Sequence, residues 1–408
     1  MRTNLASELA GKVCNVSKSS RAIEVTLSNP RDGAHQQFSA SGAYSLAEIL
    51  SQPRCWADCL AQLDSGETIA EIATRFRNAP EWIFIGCGSS YYVAMVAAAS
   101  WTAITGTRAR AVPASELLLF PELVFGGAKE FVPLLISRSG QTSEVLRAAQ
   151  LLNDKKIPTV SVSCAPKQKL EAMTTISILL PEADEQSTVM TRSFTSMLIA
   201  LQYLAAVVAK DGNSVESLRQ LPIAAEKVLE DVSVRVREFV NLNSFSDYIC
   251  LGQGPYYGVA CESALKVMEM SRSYAQSFHT LEFRHGPKSI VSGETLITFL
   301  LSESNYDAEV EVIEEMKALG GKTLVVAQRI RDRARAAADI VVELDCDLPQ
   351  PLCVAPFAFA GQLVGCYTAL HKGLDPDRPA NLTRVVLLED GDRDRDRDRE
   401  DQPQNARP

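Results

Sequence analysis

Glu262, Lys266 and Glu269 fall at i, i+4 and i+7 in the stretch Glu262-Ser-Ala-Leu-Lys-Val-Met-Glu269. On a helix, that spacing puts two carboxylates and one ammonium on a single face. Ala264, Leu265, Val267 and Met268 cover much of the rest, which gives a carboxylate there the partial burial that raises its basicity. A short connection later comes Leu281-Glu-Phe-Arg-His285-Gly-Pro-Lys288. Gly286 and Pro287 end any helix and hold the His285 ring on a turn. A titratable ring close in sequence to two carboxylates and a lysine has the composition of a proton-transfer site. The same spacing alone also describes a solvated i,i+4 ion pair, and a lone histidine is commonly structural. The surrounding chain has to decide.

The elements that would position these groups read as α/β. From Ser45 the apolar residues recur with helical period through Leu63, and Ile69 to Phe76 extends the helical lead. Trp82 to Ile85 is a short apolar strand running into Gly86-Cys-Gly-Ser-Ser-Tyr91 and then an apolar helix from Val93. Strands follow at Phe131–Ile136, Pro158–Ser163 and Ile176–Leu180, with a helix from Glu144 to Leu152 and a long one reaching Val208. Strands alternating with helices indicate a mainly parallel sheet covered on both faces. A further helix, from about Ala224 to Val240, connects to a second copy of the pattern. Ile249-Cys-Leu-Gly252-Gln-Gly254-Pro-Tyr-Tyr257 echoes the first strand and turn, with Gly86, Gly88 and Tyr91 each recurring 166 residues on, as Gly252, Gly254 and Tyr257. Leu296 to Ser302 echoes Leu134 to Ser137, and Thr323 to Ala327 echoes Thr159 to Val162. The chain reads as an internal duplication of one three-layer unit.

A Gly-x-Gly turn after a strand suggests a dinucleotide site, but both copies carry tyrosine where the third glycine belongs, and the first has no ribose-binding acid at the right distance. The first copy is instead rich in hydroxyls. Ser89, Ser90, Ser137, Ser139, Thr142, Thr191 and Ser193 all follow strands or open helices, at the carboxyl edge where open α/β sheets bind ligands. Singly each could be an N-cap. Together, with backbone N–H groups and helix dipoles, they can cradle a phosphate. The second copy has Pro255 in place of Ser89, and Glu303 and Asn305 near the place of the Ser-Arg-Ser-Gly loop, while it gains Glu269 and His285. The first unit is therefore expected to hold a phosphate and the second to supply acid–base chemistry.

Composition bounds the rest. The formal net charge of −9 argues against a nucleic-acid binder, although the segment from Glu389 to Pro408, with eight acids and five arginines, supplies part of it. Its Asp-Arg alternation has nothing to bury and is expected to be disordered. The ten cysteines form no C-x-x-C pair, and Cys55 and Cys59 have no nearby histidine to complete a metal site, so reduced thiols in a cytoplasmic protein are expected. No secretory signal is visible, and the run from Val93 to Ile104 is too short to span a bilayer.

The motifs in their order resemble the sugar isomerase (SIS) family, and specifically tandem-SIS enzymes of amino-sugar phosphates. The matching pieces are Gly86-Cys-Gly-Ser-Ser-Tyr91, Ser137-Arg-Ser-Gly-Gln-Thr142, Glu262 to Glu269, Arg284-His-Gly-Pro-Lys288 and Asn381-Leu-Thr-Arg384, covering roughly Ser45 to Val386. The likeness extends to the isomerase half of glucosamine-6-phosphate synthase and to galactosamine-6-phosphate deaminase and tagatose-6-phosphate isomerase types. It implies two tandem units and isomerisation or deamination of a hexose or hexosamine 6-phosphate by proton transfer between C1 and C2. It implies Glu269 as base, His285 as the group that assists ring opening from the neighbouring subunit of a homodimer, and Lys266 as enediolate stabiliser or partner of Glu262. Cys87, Gly88, Ser89, Ser90, Ser137, Ser139, Gln141, Thr142, Thr191, Ser193 and Arg384 would contact substrate. No metal or organic cofactor is implied. A fructosamine-6-phosphate deglycase and a non-catalytic sugar-phosphate sensor remain alternatives.

Two departures shape the expectation. The synthase's glutaminase domain begins with a cysteine after the initiator Met, whereas position 2 here is Arg2, so glutamine hydrolysis is not expected. The synthase's tail lysine falls on Arg384, which stays protonated and cannot form an imine but can clamp a phosphate or sugar oxygen. The expected organisation is a poorly ordered extension over residues 1–43, a helical lead over 44–76, a phosphate-binding unit over 77–222, a connecting helix over 223–243, an acid–base unit over 244–380, and a terminal segment over 381–408 that is disordered from about 390.

Overall fold

The computed structural model describes residues 41–126 and 130–388. Most of the expected N-terminal extension and the Asp-Arg tail lie outside the described residues. Three helices open the fold, α1 (Ala43–Leu50), α2 (Gln52–Ser65) and α3 (Thr68–Phe76). The first unit continues with β1 (Glu81–Gly86), α4 (Ser89–Thr105), β2 (Arg108–Pro113), α5 (Ala114–Leu119), α6 (Pro121–Phe125), β3 (Val132–Ile136), α7 (Ser143–Asp154), β4 (Val160–Ser163), α8 (Lys169–Met173) and β5 (Ile176–Leu179). Its strands make one five-stranded, all-parallel sheet in the order β2-β1-β3-β4-β5.

Helices α9 (Arg192–Ala209) and α10 (Gly212–Leu242) lead into the second unit. It comprises β6 (Asp247–Gly252), α11 (Pro255–Ser271), β7 (Tyr274–His279), β8 (Thr295–Leu300), α12 (Tyr306–Ala318), β9 (Lys322–Ala327), α13 (Asp332–Ala337) and β10 (Ile340–Glu343), and α14 (Ala358–His371) follows. The second sheet, β7-β6-β8-β9-β10, repeats the strand order of the first and is also parallel throughout. The repeat is tight at its start. β1, α4 and β2 recur as β6, α11 and β7 with every boundary shifted by the same 166 residues.

The buried strands read as unbroken apolar runs because parallel sheets are covered on both faces. Alternate side chains divide the core. Trp82, Phe84, Tyr248 and Cys250 join one continuous apolar cluster between the two sheets, while Ile83 and Ile85, and Ile249 and Leu251, face separate outer clusters. α9 is long and apolar enough to cross a membrane, but 83% of that window is buried in this central cluster, where it packs on α2 and α4. It is a core helix.

β2, β7 and β10 are absent from the sequence reading; β2 alternates arginine with alanine, and β7 is mixed in polarity, so neither offers a continuous apolar run. The connecting helix is longer than expected, running unbroken from Gly212 through Pro222 to Leu242. α11 and α14 are the most extensively packed pair of helices. They approach closely because α14 presents Gly361 and Gly365 one turn apart. A Cβ on Gly361 would lie 2.3 Å from Ser263 Cβ, and one on Gly365 2.7 Å from the Lys266 carbonyl oxygen.

Replacing Gly365 by alanine should therefore push α14 off the turn that carries Lys266 and destabilise the fold by about 1–3 kcal/mol, the usual effect of overpacking. Urea denaturation measures this, with Gly212→Ala as control, since a Cβ there meets nothing within 4 Å. Equal midpoints for the two variants would contradict the close helix contact.

Candidate active site

The α11 triad forms as its spacing predicts, but in a drier setting than a surface ion pair. Lys266 is fully buried. Its Nζ lies 3.2 Å from Glu262 Oε1 and 2.5 Å from Glu269 Oε2. It also donates a hydrogen bond of 3.1 Å to Ser89 Oγ. That last contact joins the two units. α4 and α11 pack against each other with Gly258 against Val96, so the start of α4 meets the later turns of α11.

Burial pushes the Glu262 carboxyl up to about 7; Lys266 pulls it down and Glu269 adds to the rise. Burial also pulls the Lys266 ammonium down, but the two carboxylates outweigh it and hold it above its ordinary value. Lys266 is therefore charged at neutral pH. Glu269 is the half-open member, with a side chain 20% exposed, while Glu262 stays sealed.

The turn before α4 is shaped by two glycines. A Cβ on Gly86 would fall 2.5 Å from the Ser90 backbone, and Gly88 adopts φ +54°, which favours glycine. The turn sets Ser89 and Ser90, both buried, at the head of α4. Beside them, Cys87 has its thiol pushed up to about 12 by burial.

The loop after β3 closes on itself. Gly140 N donates to Ser137 Oγ at 3.1 Å, Ser137 Oγ lies 3.2 Å from Thr142 Oγ1, and Gln141 N donates to Ser139 Oγ at 3.2 Å. The Gln141 amide is held by Gln168. Thus Ser137, Ser139, Gln141 and Thr142 share one compact turn at the start of α7, and β1 and β3, whose ends carry the two turns, are adjacent at the point where strand order reverses.

Thr191 and Ser193 stand differently. Their hydroxyls and amides donate to the buried carboxylate of Glu185, at 2.7 Å from Thr191 Oγ1 and 2.6 Å from its N. Those hydroxyls satisfy a buried acid of their own chain. Glu185 went unremarked in the sequence; an acid six and eight residues before two hydroxyls is too weak a signal to find it. Arg138 is likewise committed, donating to Thr188 O at 3.0 Å and Arg384 O at 2.6 Å and lying 3.7 Å from Glu185. The Arg384 guanidinium is exposed and pairs with Asp184 at 2.5 Å.

His285 stands on a different element from the triad. It is exposed on a turn between two 3₁₀ segments, Glu282–Arg284 and Pro287–Ile290, with Gly286 at φ +123°. The turn is anchored by buried Phe283 and by Arg284, which pairs with Glu315 of α12 at 2.9 Å. No hydrogen bond or ion pair among the described residues joins His285 to Glu262, Lys266 or Glu269.

In the second unit, the equivalent of the hydroxyl loop is closed from inside. Asn305 N donates to Ser302 Oγ at 3.2 Å, as Gly140 does to Ser137. The Ser302 amide and hydroxyl then donate to Glu309, at 2.8 and 2.7 Å. A buried carboxylate thus takes up donors that an anion would use.

With this geometry in place, comparison with known proteins is specific. Residues 75–207 match the SIS domain family model. Glutamine–fructose-6-phosphate aminotransferase (isomerizing) of Bacteroides thetaiotaomicron is 24% identical over 90% of this chain, which spans 61% of that protein's length. A crystal structure of glucosamine-6-phosphate deaminase from Thermotoga maritima superposes with a TM-score of 0.70 at 25% identity, covering 85% of this chain and all of its own. Tagatose-6-phosphate ketose/aldose isomerase from Escherichia coli shares the fold, with a TM-score of 0.73 at 22% identity over 86% of this chain and 97% of its own.

Three buried carboxyls, Glu48, Glu262 and Glu309, are each pushed up to about 7, chiefly by burial. Between the ordinary value of 4.5 and about 7 the folded chain holds protons that the unfolded chain has released. The stability these groups contribute is complete below the unfolded value and is lost as pH rises through the folded one, at up to about 1.4 kcal/mol per pH unit for each. Urea midpoints should therefore fall from about pH 5 to about pH 8 at constant ionic strength. A flat or rising profile would show that these carboxyls titrate normally.

Proposed function

We propose that this chain, which carries a SIS domain and resembles sugar-phosphate isomerases and deaminases over most of its length, moves a proton between C1 and C2 of a hexose or hexosamine 6-phosphate. One observation carries the reading. The fully buried Lys266 contacts both acids of α11 and, in the same reach, Ser89 at the head of α4. A proton-moving helix and an anion-receiving helix end thereby become parts of one site.

In this proposal Glu269 is the base, being the accessible carboxylate of the pair. It removes the proton from one carbon and returns it to the other. The substrate's own carbonyl acidifies that proton, and the Lys266 ammonium stabilises the negative charge that develops on oxygen. Glu262 keeps Lys266 charged. Ser90, Ser137, Ser139 and Thr142 receive the phosphate through their hydroxyls, with the Gly88 turn beside them. With an amino sugar, isomerisation places the amine on the carbon that becomes the ketone, and water releases it as ammonia. The exposure of His285, and the lack of any hydrogen bond or ion pair from it to the triad among the described residues, support its use by the site of a second subunit. The N–H groups of Thr191 and Ser193 are taken up by Glu185, so we assign those residues to holding the loop. Arg384 would act from the tail as a clamp on phosphate or a sugar oxygen.

The test is a panel of hexose, hexosamine and fructosamine 6-phosphates assayed for isomer, ammonia and amine. Turnover of a 6-phosphate but not of the free sugar is expected, and Ser139→Ala should raise KM more than it lowers kcat. Amine release from fructosamine phosphates alone would make the enzyme a deglycase. Glu269→Gln and His285→Asn homodimers should each lose about 10²–10⁴ in rate, and mixed dimers should recover activity. Wild-type rates in both single variants would remove the proposal. Dead variants that fail to complement, despite verified subunit exchange, would leave the chemistry and remove the shared site.

A further inference from the structure

The chain has ten cysteines, and nine are free thiols among the described residues. Two pairs lie close. Cys55 and Cys59 are one turn apart in α2, where Cβ atoms at i and i+4 stand about 5–6 Å from each other. A disulfide needs about 3.5–4.5 Å, so the helix keeps that pair from bridging. Cys346 and Cys353 are under no such restraint. Their Sγ atoms lie 2.6 Å apart in the irregular connection between β10 and α14.

The backbone holds the two sulfurs there from both sides. Pairing between β9 and β10 continues past the strand ends, with Leu344 N on Ala327 O at 3.0 Å and Asp345 N on Gln328 O at 2.9 Å. Asp345 then takes φ +43°, a left-handed conformation uncommon outside glycine, and turns the chain at the residue before Cys346. Gln328 Nε2 donates to Leu348 O at 2.8 Å and reaches Cys346 Sγ at 3.7 Å. On the other side, a 3₁₀ turn at Gln350–Leu352 precedes Cys353. That turn is anchored twice: Gln350 Oε1 accepts from Glu303 N at 2.9 Å and Ser304 N at 3.1 Å, and Pro351 O accepts from Gln202 Nε2 at 2.6 Å. The two thiols are also unequal. Their mutual contact, in which either sulfur can be the donor, holds the Cys346 thiol below its ordinary value and lifts that of Cys353. Cys346 is 6% exposed and Cys353 fully enclosed.

We propose that Cys346 and Cys353 form a peroxide-oxidisable dithiol that closes to an intramolecular disulfide. The Cys346 thiolate attacks one oxygen of hydrogen peroxide. The O–O bond breaks, hydroxide leaves and takes up a proton as water, and Cys346 becomes a sulfenic acid. The Cys353 sulfur then attacks the Cys346 sulfur. An S–S bond forms, the S–O bond breaks, and the hydroxide leaves with the Cys353 proton as a second water. The thiols lose two electrons in all and the peroxide gains them. The bridge would tie the end of β10 to the turn that carries Gln350, and through Gln350 to the backbone of Glu303 and Ser304 beside the second sheet. It lies outside the Lys266 site and rests on none of the groups assigned there.

The full-length chain, treated with hydrogen peroxide and then alkylated under denaturing conditions, tests this by mass spectrometry. Cleavage at Asp347, between the two cysteines, should yield fragments joined by a Cys346–Cys353 disulfide, with two hydrogen masses lost and both recovered by dithiothreitol. Cys353→Ser should leave Cys346 as a sulfenic acid that dimedone traps, and Cys346→Ser should abolish the loss. If either variant fails to melt cooperatively, the wild-type map decides alone. The proposal is overturned if both thiols remain alkylatable after peroxide, or if Cys346 is found bridged to any other cysteine.

Discussion

Taking an ammonium out of water costs several kcal/mol unless carboxylates and hydrogen-bond acceptors replace its hydration. Lys266 is in that position, and much of the surrounding structure follows from it. Two acids of its own helix and the Ser89 hydroxyl supply what water would. They can do so only because the helices around α11 leave no room for water. α14 approaches on Gly361 and Gly365, and α4 approaches where Gly258 meets Val96, a Cβ there falling 2.6 Å from its Cγ2. One cation cannot fully offset two carboxylates in such a place, and the burden falls on Glu262, the more buried of the two. The less buried Glu269 is left partly open to solvent.

Duplication explains how such a site can exist without a matching one across the pseudo-repeat. At the shared offset, Glu262, Lys266 and Glu269 correspond to Val96, Ser100 and Ala103 of α4. The two helices keep the same boundaries and differ in what one face carries. The difference runs the other way at the sheet edges. In the first unit the hydroxyls of the loop after β3 meet one another and the amides of their own turn, with Glu144 standing in the first turn of α7. In the second, Glu309 has filled the corresponding donors. The loop hydroxyls are thus bonded among themselves in one copy and to a buried carboxylate in the other.

This asymmetry also marks what the sequence could tell. The repeat, the parallel sheets and the α11 face were legible because each rests on spacing: 166 residues between glycines, apolar runs of strand length, charges at helical period. β2 and β7 were not, since Arg-Ala alternation and a mixed-polarity run carry no continuous apolar stretch. Hydroxyls were the harder case. Ser137 and Thr191 look alike in sequence, each after a strand and near a helix start. Only the fold shows that Ser137 caps a turn beside Ser89's strand, whereas Thr191 is bound to Glu185. That carboxylate lies only six residues before Thr191, but an acid at that spacing belongs to no recognised pattern and does not announce itself. That His285 makes no bond to the triad was equally hidden, because short separation along the chain says little once Phe283 is buried and Arg284 is paired with Glu315 of α12.

The commitment of Arg138 sharpens what kind of anion site this is. A net charge of −9 would lead one to look for a local cation beside a phosphate, and Arg138 sits in the right loop. Yet its guanidinium is turned to carbonyls of Thr188 and Arg384 and toward Glu185, so it braces the loop from behind. The donors left for an anion are hydroxyls and backbone amides, which carry partial charge and impose direction. The chain already touches this edge itself: Val386 O accepts from Ser143 N at 3.3 Å, and Leu388 N donates to Ser143 Oγ at 2.9 Å. Through Arg138 and Ser143, the segment 384–388 is fastened to the same loop from two directions. The position of the tail and the shape of the hydroxyl turn are therefore one structural variable, and a substitution in either would be felt in the other before it was felt at Lys266.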